Sequence, residues 1–420
     1  MRWRRAVSHS LLGISLDVGA AGVGEILCVE SPILPCENEL RTGETVAFHV
    51  VDTPAPLRIA VLAHLHYPIC PPYAGGMESH TAHLVKDLSD RGHHVTLFAK
   101  EGSNPFGSGS EGMAVGVLAE NFTVQGYPDE DRRNHQHHVL DSSMQDAVRK
   151  ARDGNFDVVI NNSLSPVPHV HLRDIPTLHI LHTPPLPRIT AVISKRSSTS
   201  QMHRFATVSE SNSRAWKQWL PELHVIPNGI DLDAWCGEPG NRINPGTAAW
   251  TGRITPEKGL HIAIAAARDA GMKLAIAGPV QDKEYFNSLI APNLDQDIEY
   301  LGHLGQEELK TLISSREVFI SSPLWAEPFG LTTLEAMASS TPVAALPSGA
   351  MGEIIGTSGG ALADGSDSAA LAAAVLRAAK MDREAVRQRA MLFTRERMLD
   401  GYEALIDQIV PRVRSARQDR

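Results

Sequence analysis

Only four cysteines occur in 420 residues: Cys28, Cys36, Cys70 and Cys236. None stands in C-x-x-C spacing, so neither a disulfide framework nor a structural zinc site is indicated, and the usage fits a reducing cytosol. No apolar run reaches the roughly 20 residues that a membrane-spanning helix needs. A positive charge balance is missing too. The formal net charge is -9, which argues against a general nucleic-acid binder, because such domains carry a basic face. What is present is 42% hydrophobic and 21% charged residues, an ordinary globular composition. The chain is long enough for two domains with proper cores.

Residues 1–56 lack clear periodicity. Met1-Arg2-Trp3-Arg4-Arg5 before LLGISL suggests a signal peptide, but Asp17 and Glu25 interrupt the apolar run and no A-x-A-like site follows. The segment reads as a poorly packed extension or an over-long translation start.

From Leu57 strands and helices alternate. LRIAVLAHL (57–65), HVTLFAK (94–100), FDVVIN (156–161), TLHIL (177–181), FATVS (205–209) and LHVI (223–226) read as buried strands, with helices over Glu78–Asp90 and Asp141–Arg152. Residues 101–112 read as a Gly/Ser loop. PNGIDLDAW (227–235) ends this series, and a second one starts: TAAWT (247–251), a helix over Lys258–Ala270, KLAIAG (273–278), IEYLG (298–302), VFISS (318–322), TPVAA (341–345) and GALA (360–363). The expected class is α/β, with two Rossmann-like doubly wound parallel-sheet domains at 57–226 and 227–395. A single barrel would not break and restart mid-chain. The apolar pattern of the tail, with Met398, Leu405 and Ile409, predicts a helix; we read 396–420 as returning toward the first domain.

Chemistry is concentrated in SSPLWAEPFGLTTLEA (321–336). A strand, a polar loop and a helix start near Gly330 would present free backbone N–H groups to phosphate. Glu327 and Glu335 flank that cluster. Carboxylates repel phosphate, so they would serve hydroxyl groups, or else simply complement a helix dipole. A nucleotide-sugar, with phosphate in the middle and polyol at both ends, fits the first option. Gly75-Gly76, after the first strand, would let backbone approach a phosphate, or form a plain turn. Arg253 and Lys258 flank a tight turn in TGRITPEKGL. Lys258 is expected in the first helical turn, where the dipole disfavours a cation unless an anion is bound there. The two cations would neutralise a diphosphate leaving group, or be solvated surface residues.

His182, just after a strand, would hydrogen-bond a sugar, act as acid or base, or be a core histidine. The run Asn134-His135-Gln136-His137-His138 reads as a solvated loop rather than a metal site. Asp231-Leu232-Asp233 and Asp295-Gln296-Asp297 have acidic spacing suited to Mg²⁺, but the first falls in the interdomain connection and the second on a polar surface. No metal and no cofactor are therefore expected. Lys195, Arg196, Arg204 and Arg214 make only a diffuse basic region for peripheral membrane contact.

From Leu57 to about residue 410 the chain resembles the retaining glycosyltransferases of family 4. The matching pieces are GGMESH, VSESNS, VIPNGID, TGRITPEKGL, IAGP, YLGHL and EPFGLTTLEAMASSTPV, which contains the E-x7-E pair Glu327 and Glu335. The resemblance implies a GT-B fold, its two domains facing a cleft, and a cytoplasmic hexosyltransferase. The implied partners are a nucleotide-diphospho-sugar donor, UDP-linked rather than GDP-linked, and a small-molecule, glycan or lipid-linked acceptor. It implies that Gly76, Arg253 and Lys258 meet the diphosphate and that Glu327, Phe329, Gly330 and Leu331 meet the sugar and phosphate. Glu335 would take the ribose, and Gly278, His303 and Leu304 would border the base. Many relatives carry a histidine in the loop after the strand FDVVIN, where Asn162 stands here. An amide cannot transfer a proton. That fits a front-face mechanism, in which the leaving phosphate takes the acceptor's proton, or a lost activity, with His182 as partial compensation. NNS together with LHTPP is similar to a subgroup that includes glucosyltransferases acting on small aglycones such as pterins. Other expectations are a nucleotide-sugar epimerase or hydrolase, and a non-catalytic sugar-nucleotide sensor.

Overall fold

The computed structural model describes residues 55–105, 114–117, 130–195, 201–236 and 242–410. Residues 1–54 of the expected extension lie outside the described residues, with Cys28 and Cys36. So do 106–112 of the Gly/Ser loop, Arg196 of the basic region, the side chains of Asn134 and His135, and residues 411–420 of the tail.

The apolar runs become buried strands because helices cover both faces of a parallel sheet. The first sheet comprises β1 (Arg58–Ala63), β2 (His94–Lys100), β3 (Ala114–Val117), β4 (Val158–Asn162), β5 (Thr177–Leu181), β6 (His203–Thr207) and β7 (His224–Val225). The second comprises β8 (Asn244–Thr251), β9 (Lys273–Ala277), β10 (Ile298–Tyr300), β11 (Arg316–Ser321), β12 (Val343–Ala345) and β13 (Gly360–Leu362). Their orders are β3-β2-β1-β4-β5-β6-β7 and β10-β9-β8-β11-β12-β13, with parallel pairing throughout. These are two doubly wound α/β units. The strand absent from the sequence reading is β3, whose four residues AVGV are too short to carry an alternation.

Both sheets reverse direction of growth beside their first strand, between β1 and β4 and between β8 and β11. Open α/β sheets bind ligands outside the carboxyl ends of the strands at such a point. Register sets these ends level: Ala63 pairs with Asn162, and Ala249 with Phe319.

The chain crosses between the units twice. The crossings are tied together by Ile230 N donating to Phe393 O at 2.9 Å and Arg395 N donating to Ile230 O at 3.3 Å. Beyond the second crossing, the helix Arg395–Asp407 places Met398, Leu399, Tyr402, Leu405 and Ile406 in one core cluster with Ile59, Val61, Leu84 and Leu88. Thr394 caps that helix, accepting from Arg397 N. Among the described residues, no helix is long and apolar enough to cross a membrane.

Candidate active site

A cavity of about 490 Å³ opens where the carboxyl ends of the two sheets face each other. Loops after β1, β5, β8 and β11 line it, together with the start of the helix Gly76–Asp90 and the residues around Gly330. Of the residues singled out in the sequence, Gly75, Gly76, His182, Arg253, Lys258, Glu327, Phe329, Gly330 and Leu331 are on its wall.

The loops meet closely at Gly75 and Gly76. A Cβ on Gly75 would lie 3.2 Å from Glu78 Oε2 and 3.6 Å from Arg253 Cδ, and one on Gly76 would lie 3.0 Å from Leu331 Cδ1. Here glycine eases close approach. At Gly330 it is needed for conformation as well: φ is 91°, and a Cβ would fall 2.3 Å from Met351 Cε.

Lys258 corrects an expectation. It is not in the first turn of the helix but ends a short 3-10 turn, Pro256–Lys258. Gly259, in the left-handed region at φ 65°, separates that turn from the helix Leu260–Asp269. A Cβ on Gly259 would lie 2.1 Å from Ser322 O, so the β8 and β11 loops are pressed together. Lys258 Nζ therefore reaches Glu327 Oε2 at 2.6 Å. Trp325 Nε1 donates to the same oxygen at 2.9 Å, and the ammonium lies 5.5 Å from the Trp325 ring centroid. Glu327 is 9% exposed, and a carboxylate so far out of water needs such partners. Arg253 Nη1 donates to Gln281 Oε1 at 3.2 Å.

Asn162 is placed differently from the sequence reading. It is fully buried and lies behind the wall, where its amide contacts His80, Thr81 and His182. The side chain that reaches the cavity is His182. Burial, with His64 adding to it, pushes the His182 imidazole down to about 3, so the ring is neutral in ordinary buffers.

Gly278, His303, Leu304 and Glu335 are not on this wall. Gly278 follows β9 at φ 144° and accepts a hydrogen bond from the Tyr300 hydroxyl at 2.8 Å. His303 is exposed and Leu304 half-buried beyond β10. Glu335 is half-buried in the second turn of the helix Leu331–Ala338, and desolvation pushes its carboxyl up to about 7.

The sequence reading missed Glu78 and His64. Glu78 Oε1 lies 3.1 Å from His64 Nε2, both side chains being buried. Burial works to raise the Glu78 carboxyl, but the His64 hydrogen bond and charge, its own backbone N–H and Arg253 hold it below the usual value. His66, Tyr67, Thr255, Gln281 and Trp325 also line the cavity unannounced. The signal for Glu78 was its place in the first turn after a Gly-Gly loop. The aspartates set aside as metal ligands have other work. Asp231 binds Arg395 and the N–H groups of Asp233 and Ala234, and Asp295 pairs with Arg268 at 2.9 Å.

Comparison with known proteins agrees with this construction. The family model "Glycosyltransferase Family 4" matches residues 74–234, and "Glycosyl transferases group 1" matches residues 240–392. Glycogen synthase of Mycobacterium tuberculosis is 31% identical over 216 residues, covering 50% of this chain and 51% of that protein. The chain thus spans about half the length of that relative. D-inositol 3-phosphate glycosyltransferase of Nocardia farcinica is 26% identical over 344 residues, covering 70% and 75%. The structure of Anabaena Alr3699/HepE in complex with UDP-glucose superimposes with a TM-score of 0.61 at 18% identity, covering 83% of this chain and all of that one, 100%. At that identity the likeness establishes the GT-B arrangement of two Rossmann-like domains. With one family model on each domain, the chain belongs to the group 1, family 4 glycosyltransferases.

Proposed function

We propose that this protein transfers a hexose from a UDP-linked donor, UDP-glucose, to a hydroxyl-bearing acceptor with retention of configuration and without a divalent metal. The observation that carries the reading is the Lys258–Glu327 pair at 2.6 Å, with Arg253 and the Gly75-Gly76 backbone on the same cavity. A diphosphate needs fixed cations and N–H groups, and a hexose needs a carboxylate acceptor. The two demands fall side by side here. Arg253 and Lys258 would stand in for the metal at the leaving group, and Glu327 would hold sugar hydroxyls. With bound donor, Lys258 would share its charge between Glu327 and phosphate. Glu335, outside the cavity on the helix Leu331–Ala338, is proposed to take the ribose, and Gly278, His303 and Leu304 to border the base.

The neutral, weakly basic His182 supports a front-face route, in which the departing phosphate receives the acceptor's proton while the protein stabilises charge. The UDP-glucose complex of the structural relative favours that donor. Its location would be the cytoplasm, in keeping with its cysteine usage. Titration calorimetry with UDP-glucose in EDTA, followed by an untargeted acceptor screen with labelled UDP-glucose, tests the reading. Binding in EDTA with acceptor-dependent release of UDP is expected; binding only with added Mg²⁺ contradicts it.

A further inference from the structure

A buried chain of polar contacts leads to the cavity wall from the helix Gly76–Asp90. The Thr81 hydroxyl donates to the Met77 carbonyl at 2.7 Å. A hydroxyl has one proton, so Thr81 turns only lone pairs toward the Asn162 amide, 2.8 Å away. The network thereby assigns the amide: Nδ2 faces Thr81, and Oδ1 faces His182 Nε2. A carbonyl oxygen only accepts, so Nε2 carries the imidazole proton and Nδ1 the lone pair. Thr81 and Asn162 are fully buried. The His182 ring is part of the cavity wall, and among the described residues no hydrogen bond reaches its Nδ1.

We propose that Asn162, held by Thr81, is a positioning residue that fixes His182 as its Nε2–H tautomer, leaving Nδ1 as an acceptor for a substrate hydroxyl. The ligand side of this inference rests on the glycosyltransferase reading; the tautomer belongs to the protein alone. It has a consequence for specificity. Nδ1 selects an O–H group and turns away phosphate and carbonyl oxygens, which have no proton to give. Because burial holds the ring neutral, Nδ1 takes a hydrogen bond and leaves the proton on the hydroxyl. The amide at this strand end is then a supporting arrangement rather than a lost function.

The test is two-bond ¹H–¹⁵N NMR on the full chain labelled with [¹⁵N]histidine, with His182 assigned by its loss in His182→Gln. The expected spectrum has a protonated Nε2 and an unprotonated Nδ1, unchanged from pH 8 to pH 5. A protonated Nδ1 overturns the proposal, whatever the protein's activity. Adding UDP and then UDP-glucose separates the hydroxyl's sources. A shift of Nδ1 with UDP-glucose but not UDP assigns it to the transferred sugar, a shift only when an acceptor from the screen is added assigns it to the acceptor, and no shift with any of the three overturns the substrate contact.

UDP release from UDP-glucose gives a second readout. Asn162→Leu should lower kcat/KM at least tenfold. Asn162→Asp, which still only accepts at Nε2–H, should keep most of the rate at pH 8. Its carboxylate would raise the imidazole pKa, so the rate should fall on acidification where wild type stays level. A purely structural Asn162 gives an Asp variant whose pH profile parallels wild type, and that result also overturns the proposal.

Discussion

Lys258 reaches Glu327 because Gly259 ends the preceding turn in a left-handed conformation that sends the main chain past Ser322. The sequence showed both charges but not that geometry, since a Pro-Glu-Lys-Gly run is equally compatible with a helix start. Lys258→Ala should remove transition-state charge stabilisation at the leaving group and lower kcat about 10²–10³-fold, with the far-UV circular dichroism unchanged. An unaltered kcat/KM would take Lys258 out of the site. Glu335 gives a pH prediction. Its folded-state pKa is raised from 4.5 to about 7 by desolvation, so the folded chain binds this proton more tightly than the unfolded one. The resulting stability is full below about pH 4.5 and is lost as pH rises through about 7. Glu335→Gln imitates the neutral form, so it should match wild type near pH 4 and be more stable at pH 8 by about 1–3 kcal/mol. Urea unfolding at the two pH values measures the difference; equal stability at pH 8 would show an unperturbed carboxyl. The contact between Glu78 and His64 was illegible for a different reason. Their pairing joins the end of β1 to the next helix across a loop whose path no local pattern encodes.

At the scale of elements, most of the fold was written in local pattern. Continuous apolar runs such as TLHIL and HVTLFAK coincide with β5 and β2 residue for residue, because a strand buried on both faces needs no polar alternation. β3 escaped notice: its AVGV is short and contains glycine, and it is recognisable as a strand only by its pairing with β2. The tail helix shows the opposite case. Its spacing announced an apolar face, but only the tertiary structure gives that face Tyr402 at the centre of the first unit's core. Tyr402 is fully buried, so Tyr402→Ala should cost about 3–5 kcal/mol, read as a lowered urea midpoint. The glycine pair is an element-level device too. Gly76→Ala places a methyl 3.0 Å from Leu331 Cδ1 and should raise the donor KM. Adding Leu331→Ala should restore part of the loss, whereas a Gly76→Ala enzyme with wild-type KM would mean that the two loops need not touch.

For the whole molecule, the site exists only where two separately built sheets face each other. Each sequence half announced its own sheet and its own loops, and the ordered motifs named the family. How the halves close is set by long-range contacts that no motif records. One is the Glu353 carboxylate, which accepts from the N–H groups of Glu210 at 2.8 Å and Ser211 at 3.0 Å at the start of a helix in the other unit. Glu353→Ala should loosen that closure and raise KM severalfold with little change in thermal midpoint. The same KM as wild type would show that the contact plays no part in closing the cleft. The central claim is that two protein cations and a carboxylate, set on the second sheet's side of this cleft, support transfer of a hexose on the face the leaving group departs from. Proton NMR of the first product formed from UDP-glucose in EDTA tests it most directly. An α-linked glucoside with release of UDP is the expected result; a β-linked product, or no product until Mg²⁺ is added, would contradict it.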